Sequence, residues 1–239
     1  MLIFNCSQAF AAHIEPKKAG PAPLVGEAPS PHPSEDLPLL IDTDGQPPRH
    51  VQQWLVHFVC IRRKPCAVAM DIDTRYAMVF GEVKKGDAEG FLNAFTTRLV
   101  NEMTLAALEV GVIADFELSL ARFLERHSRF QFVRRMERST LAHLKEAIWD
   151  FEYRCEVEDR VLASHEECAL VDARINTTLR TAKGRKEYFV AHEEMLCAWL
   201  GAFAGLTPDG ERAVRQRLRD KARRALSGAT MPPVPETTH

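Results

Sequence analysis

The chain has 239 residues, 46% of them hydrophobic and 27% charged, with a formal net charge of -2. That composition suits a globular protein with a sizeable core and offers no bulk charge to draw nucleic acid or an anionic membrane. No window approaches the roughly 18 apolar residues of a membrane helix, so no membrane association is expected.

MLIFNC, at residues 1–6, reads as a buried strand, and SQAFAAHI after it as a short helical turn. From Glu15 to Arg49 the composition shifts. Prolines at 16, 21, 23, 29, 31, 33, 38, 47 and 48 remove amide donors and fix φ, so neither a helix nor a central strand is expected. The stretch reads as an insertion or lid, with LPLLID (Leu37 to Asp42) as an apolar patch able to dock back. Trp54 to Ile61, Cys66 to Met70 and Tyr76 to Phe80 are three apolar runs joined by a basic turn and an acidic turn, which predicts an antiparallel meander.

Helical spacing begins at Asp87. Phe91, Phe95, Leu99 and Met103 mark a buried face up to Glu109, and Gly111 is a stop. A second helix is expected over Asp115 to His127, and a strand around Phe130 and Phe132. Ser139 is placed as the N-cap of a helix lined by Leu141, Leu144, Ile148, Phe151 and Cys155. Two more helices follow, His165 to Arg180 and Tyr188 to Phe203. Thr207-Pro-Asp-Gly opens a last helix, Glu211 to Leu226. The fold class expected is α+β: a small antiparallel sheet that includes the first strand, with helices over one face and a helical C-terminal half. The expected organisation is one domain over 1–206 with the insertion at 15–49, a basic helix at 207–226, and a flexible tail at 227–239. Six cysteines without a C-x-x-C pair, and no secretory signal, point to a reducing cytoplasm.

Several short motifs occur together in a fixed order: MLIFNC, W-L-V-H (Trp54 to His57), I-R-R-K-P-C (Ile61 to Cys66), D-I-D-T-R (Asp71 to Arg75), V-K-K (Val83 to Lys85), E-R-S-T-L (Glu137 to Leu141) and I-N-T-T-L (from Ile175). In these the chain resembles a poorly characterised bacterial family, a domain of unknown function, over residues 1–6 and about 51–200. The resemblance implies a fold and a bacterial source, and no activity. The chain departs from that family's pattern at Asp71-Ile72, where Asn-Asp is usual, and in its proline-rich insertion.

Asp71 and Asp73 followed by Glu82-Val83-Lys84 have the layout of a metal-dependent nuclease. The carboxylates would hold Mg²⁺ and the lysine would help activate water. The competing reading is a hairpin turn in which Asp71 bonds its own backbone amides. Arg138 and His143 have the R-x4-H spacing of certain helical ribonucleases, against a reading as one solvated arginine and one surface histidine. His165-Glu-Glu-Cys168 and His192-Glu-Glu-Met195 lack the second histidine of a zinc helix, so no metal site is assigned. No glycine-rich phosphate loop or nucleophile elbow is present. Arg62, Arg63, Lys64 and Arg75 are candidate anion-binding residues, as are Arg215, Arg219 and Arg223 of the last helix. Residues 211–226 hold seven basic and two acidic side chains, a net +5 that leaves -7 on the rest of the chain. That helix would bind nucleic acid, an acidic partner, or the chain's own acidic body. The function expected is a non-enzymatic interaction or regulatory module that binds a protein partner or a second copy of itself, without a cofactor. The alternative is a nuclease or nucleic-acid-binding protein.

Overall fold

A computed structural model describes residues 1–16, 22–36, 40, 50–112, 115–127, 129–135, 138–182 and 185–228. In chain order the elements are β1 (Leu2–Cys6), α1 (Gln8–Ile14), β2 (Val25–Glu27), β3 (Gln52–Ile61), β4 (Lys64–Asp71), β5 (Ala77–Phe80), α2 (Ala88–Glu109) and α3 (Phe116–Arg126). Then come β6 (Phe130–Arg134), α4 (Arg138–Val157), α5 (His165–Ile175), β7 (Leu179–Arg180), β8 (Phe189–Val190), α6 (Ala191–Phe203) and α7 (Pro208–Gly228). The fold is α+β, built on one six-stranded sheet of order β2-β6-β1-β3-β4-β5 and a small β7-β8 ribbon.

The meander β3-β4-β5 is antiparallel, as its short turns require. The rest of the sheet corrects the expectation of antiparallel pairing throughout. β1 runs parallel to β3 (Phe4 opposite Trp54) and parallel to β6 (Phe4 opposite Phe132), and β2 runs parallel to β6. The long connections between these strands leave room for the crossovers that parallel pairing needs.

Alternation along β1 sets two cores. Leu2, Phe4 and Cys6 face one side, where Phe91, Phe95, Leu99 and Met103 of α2 meet Phe10 of α1, Phe123 of α3, Trp199 of α6 and Val214 of α7. On the other side Leu55, Val68, Met70 and Val79 pack under Leu144, Ala147 and Phe151 of α4 and Val171 and Ile175 of α5. Helices therefore cover both faces, not one. The α4–α5 core stops short of β1 and β6, and there Met1, Ile3 and Val133 are covered by Leu40 and Ala28 of the proline-rich segment. The segment is thus a structural part of the body, with β2 as a parallel edge strand and a 3-10 turn at Pro33–Glu35. β2 itself, Val25–Glu27, holds none of the segment's prolines, so it keeps its backbone donors for pairing. Of the LPLLID patch, only Leu40 falls within the described residues.

Helix starts follow side-chain caps. Ser7, Asp87 and Asp115 accept from the amides of Phe10, Gly90 and Leu118. Ser164 and Glu167 form a reciprocal capping box on α5. Several helix boundaries differ from the periodicity. α6 begins at Ala191, not Tyr188, because Phe189–Val190 form β8. α5 ends at Ile175, not Arg180, because the chain turns at Asn176 and enters β7. α4 already includes Arg138, so Ser139 lies inside the first turn and the cap falls outside the described residues. α7 begins at Pro208, where the hydroxyl of Thr207 accepts from Gly210 at 3.2 Å. The tail from residue 229 onward lies outside the described residues.

Candidate functional site

The acidic turn sits where β4 passes to β5. Asp71 is 2% exposed. One carboxylate oxygen accepts from the amides of Asp73 (3.1 Å) and Thr74 (2.7 Å) and from the Thr74 hydroxyl (2.8 Å). The other accepts from the Gln52 amide at 3.2 Å. Burial, with Asp73 beside it, pushes the Asp71 carboxyl up to about 6, while the bonds from Thr74 and Gln52 hold it down. Arg75 has φ 61°, and its buried guanidinium donates to the Ile72 carbonyl and to the Thr140 hydroxyl of α4 (2.6 Å). The cluster is a side-chain-bonded turn that ties the meander to α4. A cavity of about 100 Å³ adjoins it, lined by Gln52, Asp73, Thr74, His50, Met195 and Trp199.

Glu82 and Lys84 are elsewhere. β5 carries the chain away from Asp71, and at its far end Gly81 passes so close to the Leu162 carbonyl that a Cβ would clash. Glu82 then pairs with Lys64 at 3.0 Å, at the opposite end of β4 from Asp71. Seven residues of strand separate the two carboxylates, roughly 20 Å at the rise of an extended chain. Lys84 is exposed, and Val83 between them is buried. Among the described residues no three His, Cys, Asp or Glu side chains are grouped to hold a metal. The basic turn shares this far end. Arg62 and Arg63 are the two central residues of the β3–β4 hairpin, with φ 48° and 65°. Arg62 pairs with Asp159 at 2.5 Å. Arg75 therefore lies at the other end of β4 from Arg62, Arg63 and Lys64, and the four do not converge.

The helical motifs resolve into local bonding. His165 and Glu166 start α5, while Cys168 is buried with its thiol toward the Leu162 carbonyl (3.6 Å). His143 meets the Thr181 carbonyl at 3.1 Å. The Arg138 side chain lies outside the described residues. Glu193 and Glu194 of the second H-E-E stretch receive Arg215 of α7 at 3.1 and 2.6 Å, and Glu193 also receives Arg219 at 3.1 Å. Lys221 reaches Glu109, Arg217 donates to the Val110 carbonyl, and Arg223 lies 3.7 Å from Asp220. The basic helix is docked on the acidic body.

Three features escape motif reading. The free edge of β5 is sealed by side chains: Asn176 gives and takes a bond with Ala77 (2.7 Å each), and Asp172 accepts from the Val79 amide at 2.8 Å. Arg98 donates to the Val79 carbonyl, Asp172 and Glu102. This closes the row of unpaired groups that an edge strand otherwise offers. Second, buried Arg135 clamps Asp36 of the proline-rich segment (2.9 and 2.5 Å) and donates to Asn5 at 2.7 Å, which holds the segment on the sheet. The signal for the first was a charged residue amid apolar neighbours, Arg98 between Phe95 and Leu99, and Asp172 beside Val171. Third, Trp149 and Tyr153 stack on the outer face of α4, 65% and 46% exposed, with ring centroids 5.9 Å apart and an interplanar angle of 17°.

With this geometry in place, the chain belongs to a family described as a domain of unknown function, DUF6933, whose family model matches residues 3–194. No curated protein and no solved structure matches the chain. Among the described residues, no helix is long and apolar enough to cross a membrane.

Proposed function

We propose that the chain is a non-enzymatic interaction module that binds a protein partner through the outer face of α4. The carrying observation is the exposed Trp149–Tyr153 stack. Tryptophan and tyrosine are the side chains most enriched among energetic anchors of protein interfaces, and a pair held face to face by helical spacing is already ordered for contact. Val157, 57% exposed, lies one helical turn further along. Residues 145–159 hold six acidic and two basic side chains; Glu146 and Asp159 pair with Arg180 and Arg62, and the other four carboxylates make a basic surface with an apolar centre the complementary partner.

Neither alternative has comparable support. A Mg²⁺ nuclease needs Asp71, Asp73, Glu82 and Lys84 on one centre, and the sheet holds them at two ends of β4. Nucleic-acid binding by α7 needs free cations, and Arg215, Arg219 and Lys221 are engaged by carboxylates of the body.

The test compares wild type with Trp149→Ala/Tyr153→Ala as baits in nuclease-treated host lysate. A basic protein retained by wild type and lost from the double variant is expected. Identical captures by the two baits would remove α4 as the contact surface. Light scattering on purified protein distinguishes a second copy of this chain from a foreign partner.

A further inference from the structure

A cleft of about 680 Å³ is walled by the β7–β8 ribbon, the first turn of α6 and α7. Its size is that of a site for a small organic ligand. The second H-E-E stretch contributes Glu193 and Glu194. Glu193 is 7% exposed. Its Oε1 accepts from Arg215 and from Arg219, each at 3.1 Å. Its Oε2 accepts no bond from the described residues and is open to the cleft. All three nitrogens of Arg215 are used on Glu193, Glu194 and Glu211. Arg219, its side chain 60% exposed, spends one nitrogen on Glu193 and none of the others on a described residue. Lys186, exposed in the β7–β8 connection, makes no ion pair among the described residues. The cleft therefore holds a buried acceptor and two cations whose bonding capacity the fold leaves unused.

We propose that this cleft binds an apolar α-amino acid as its zwitterion, with the ammonium on Glu193 Oε2, the carboxylate on Arg219 and Lys186, and the side chain against Tyr188 and Leu179. Charge selects that class. Four basic and three acidic side chains line the cleft, a nearly neutral set that suits a ligand carrying both signs better than a polyanion. An ionised carboxylate only accepts, and a guanidinium or ammonium only donates, so Glu193 calls for a donor and Arg219 and Lys186 for an anion. Spacing selects it again. The open oxygen and the open guanidinium belong to one ion pair and stand side by side, as the ammonium and carboxylate do on a single α-carbon. A nucleotide carries its phosphate and its ribose diol further apart. Tyr188 and Leu179, 70% and 61% exposed, give the apolar wall. Beside them Arg185 lies 4.5 Å over the Phe189 ring and pairs with Glu194, which fixes the ribbon against α6. This site is separate from the α4 face, and neither reading rests on the other.

The experiment titrates the full chain with L-phenylalanine and L-leucine, followed by calorimetry and amide chemical shifts. Phenethylamine and 3-phenylpropionate are the analogues that lack the carboxylate or the ammonium, and adenosine monophosphate is the anionic control. Saturable binding of an amino acid is expected, at least about tenfold tighter than of either analogue, the worth of one charged hydrogen bond. Glu193 also anchors α7, so the variants are placed on exposed side chains. Lys186→Met/Arg219→Met keeps the stems and removes the partners of the anion, and phenylalanine should fall to the affinity of phenethylamine while the amide spectrum stays folded. A cleft that merely collects ions would bind the analogues as tightly as the amino acids, or adenosine monophosphate more tightly. Either result overturns the proposal. So does a preference for the amino acid over phenethylamine that survives in the double variant, or no saturable binding of any probe.

Discussion

The two ends of β4 carry the chain's two most charged turns, and they use charge in opposite ways. At one end Asp71 and Arg75 are buried, and their polar atoms bond to the turn itself, to Gln52 and to Thr140. At the other end Arg62, Lys64, Glu82 and Asp159 lie in solvent and pair loosely, with side-chain exposures from 40% to 88%. Exposed pairs of this kind contribute little to stability, whereas a buried charge that loses its partners is strongly destabilising. A dense cluster of charge in a sequence therefore does not by itself mark chemistry. What decides its role is whether the turn consumes its own hydrogen-bonding capacity.

That contrast is broken most sharply at Asp71. Asp71→Ala leaves the amides of Asp73 and Thr74 and the Thr74 hydroxyl without their acceptor, and should cost about 3 kcal/mol in chemical denaturation. Glu82→Ala, at the other end, should cost less than about 0.5 kcal/mol. The conservative variant Asp71→Asn tests the ionisation itself. The folded-state carboxyl is raised from 3.8 to about 6, so the native state binds more protons than the unfolded state between those values. Its contribution is therefore greatest below pH 4, declines as pH rises to 6, and leaves an ionised buried group above that. Two pKa units correspond to about 3 kcal/mol. The stability of Asp71→Asn relative to wild type should accordingly rise by up to that amount between pH 4 and pH 7. A pH-independent difference would show that the carboxyl is not raised.

Most of the fold was legible in the sequence. The α2 stripe of Phe91, Phe95, Leu99 and Met103 and the meander's apolar runs are local signals, and each element formed near its expected place. The parallel pairing of β1 with β3 and β6 was not legible, because register between distant strands depends on crossovers that no short window contains. The role of the proline-rich segment was hidden for a similar reason. Its anchor is the Arg135–Asp36 pair, 99 residues apart in sequence. For the candidate site, the hairpin reading of DIDTR and the self-docking reading of α7 could be stated in advance as competing readings. Choosing between them needed the positions of Gln52, Thr140, Glu193 and Glu194. The α4 stack was missed because Trp149 and Tyr153 each look ordinary in a helix. Only their exposure sets them apart.

The smallest effect separates the two turns most cleanly, because it holds backbone conformation constant. Arg63 and Arg75 have nearly the same left-handed φ, 65° and 61°. A side chain there is strained by roughly 1–2 kcal/mol, which glycine relieves at an entropic cost of about 0.5–1 kcal/mol. Arg63→Gly loses only an exposed side chain, and a two-residue hairpin with both central φ angles positive favours glycine. It should therefore raise stability by about 0.5 kcal/mol. Arg75→Gly gains the same relief but gives up the bonds to the Ile72 carbonyl and to Thr140, which should reverse the sign and cost about 1–2 kcal/mol. Equal effects at the two positions would mean that Arg75 does no more for the fold than an exposed turn residue. The distinction between the ends of β4 would then fail on the side where it is argued most strongly.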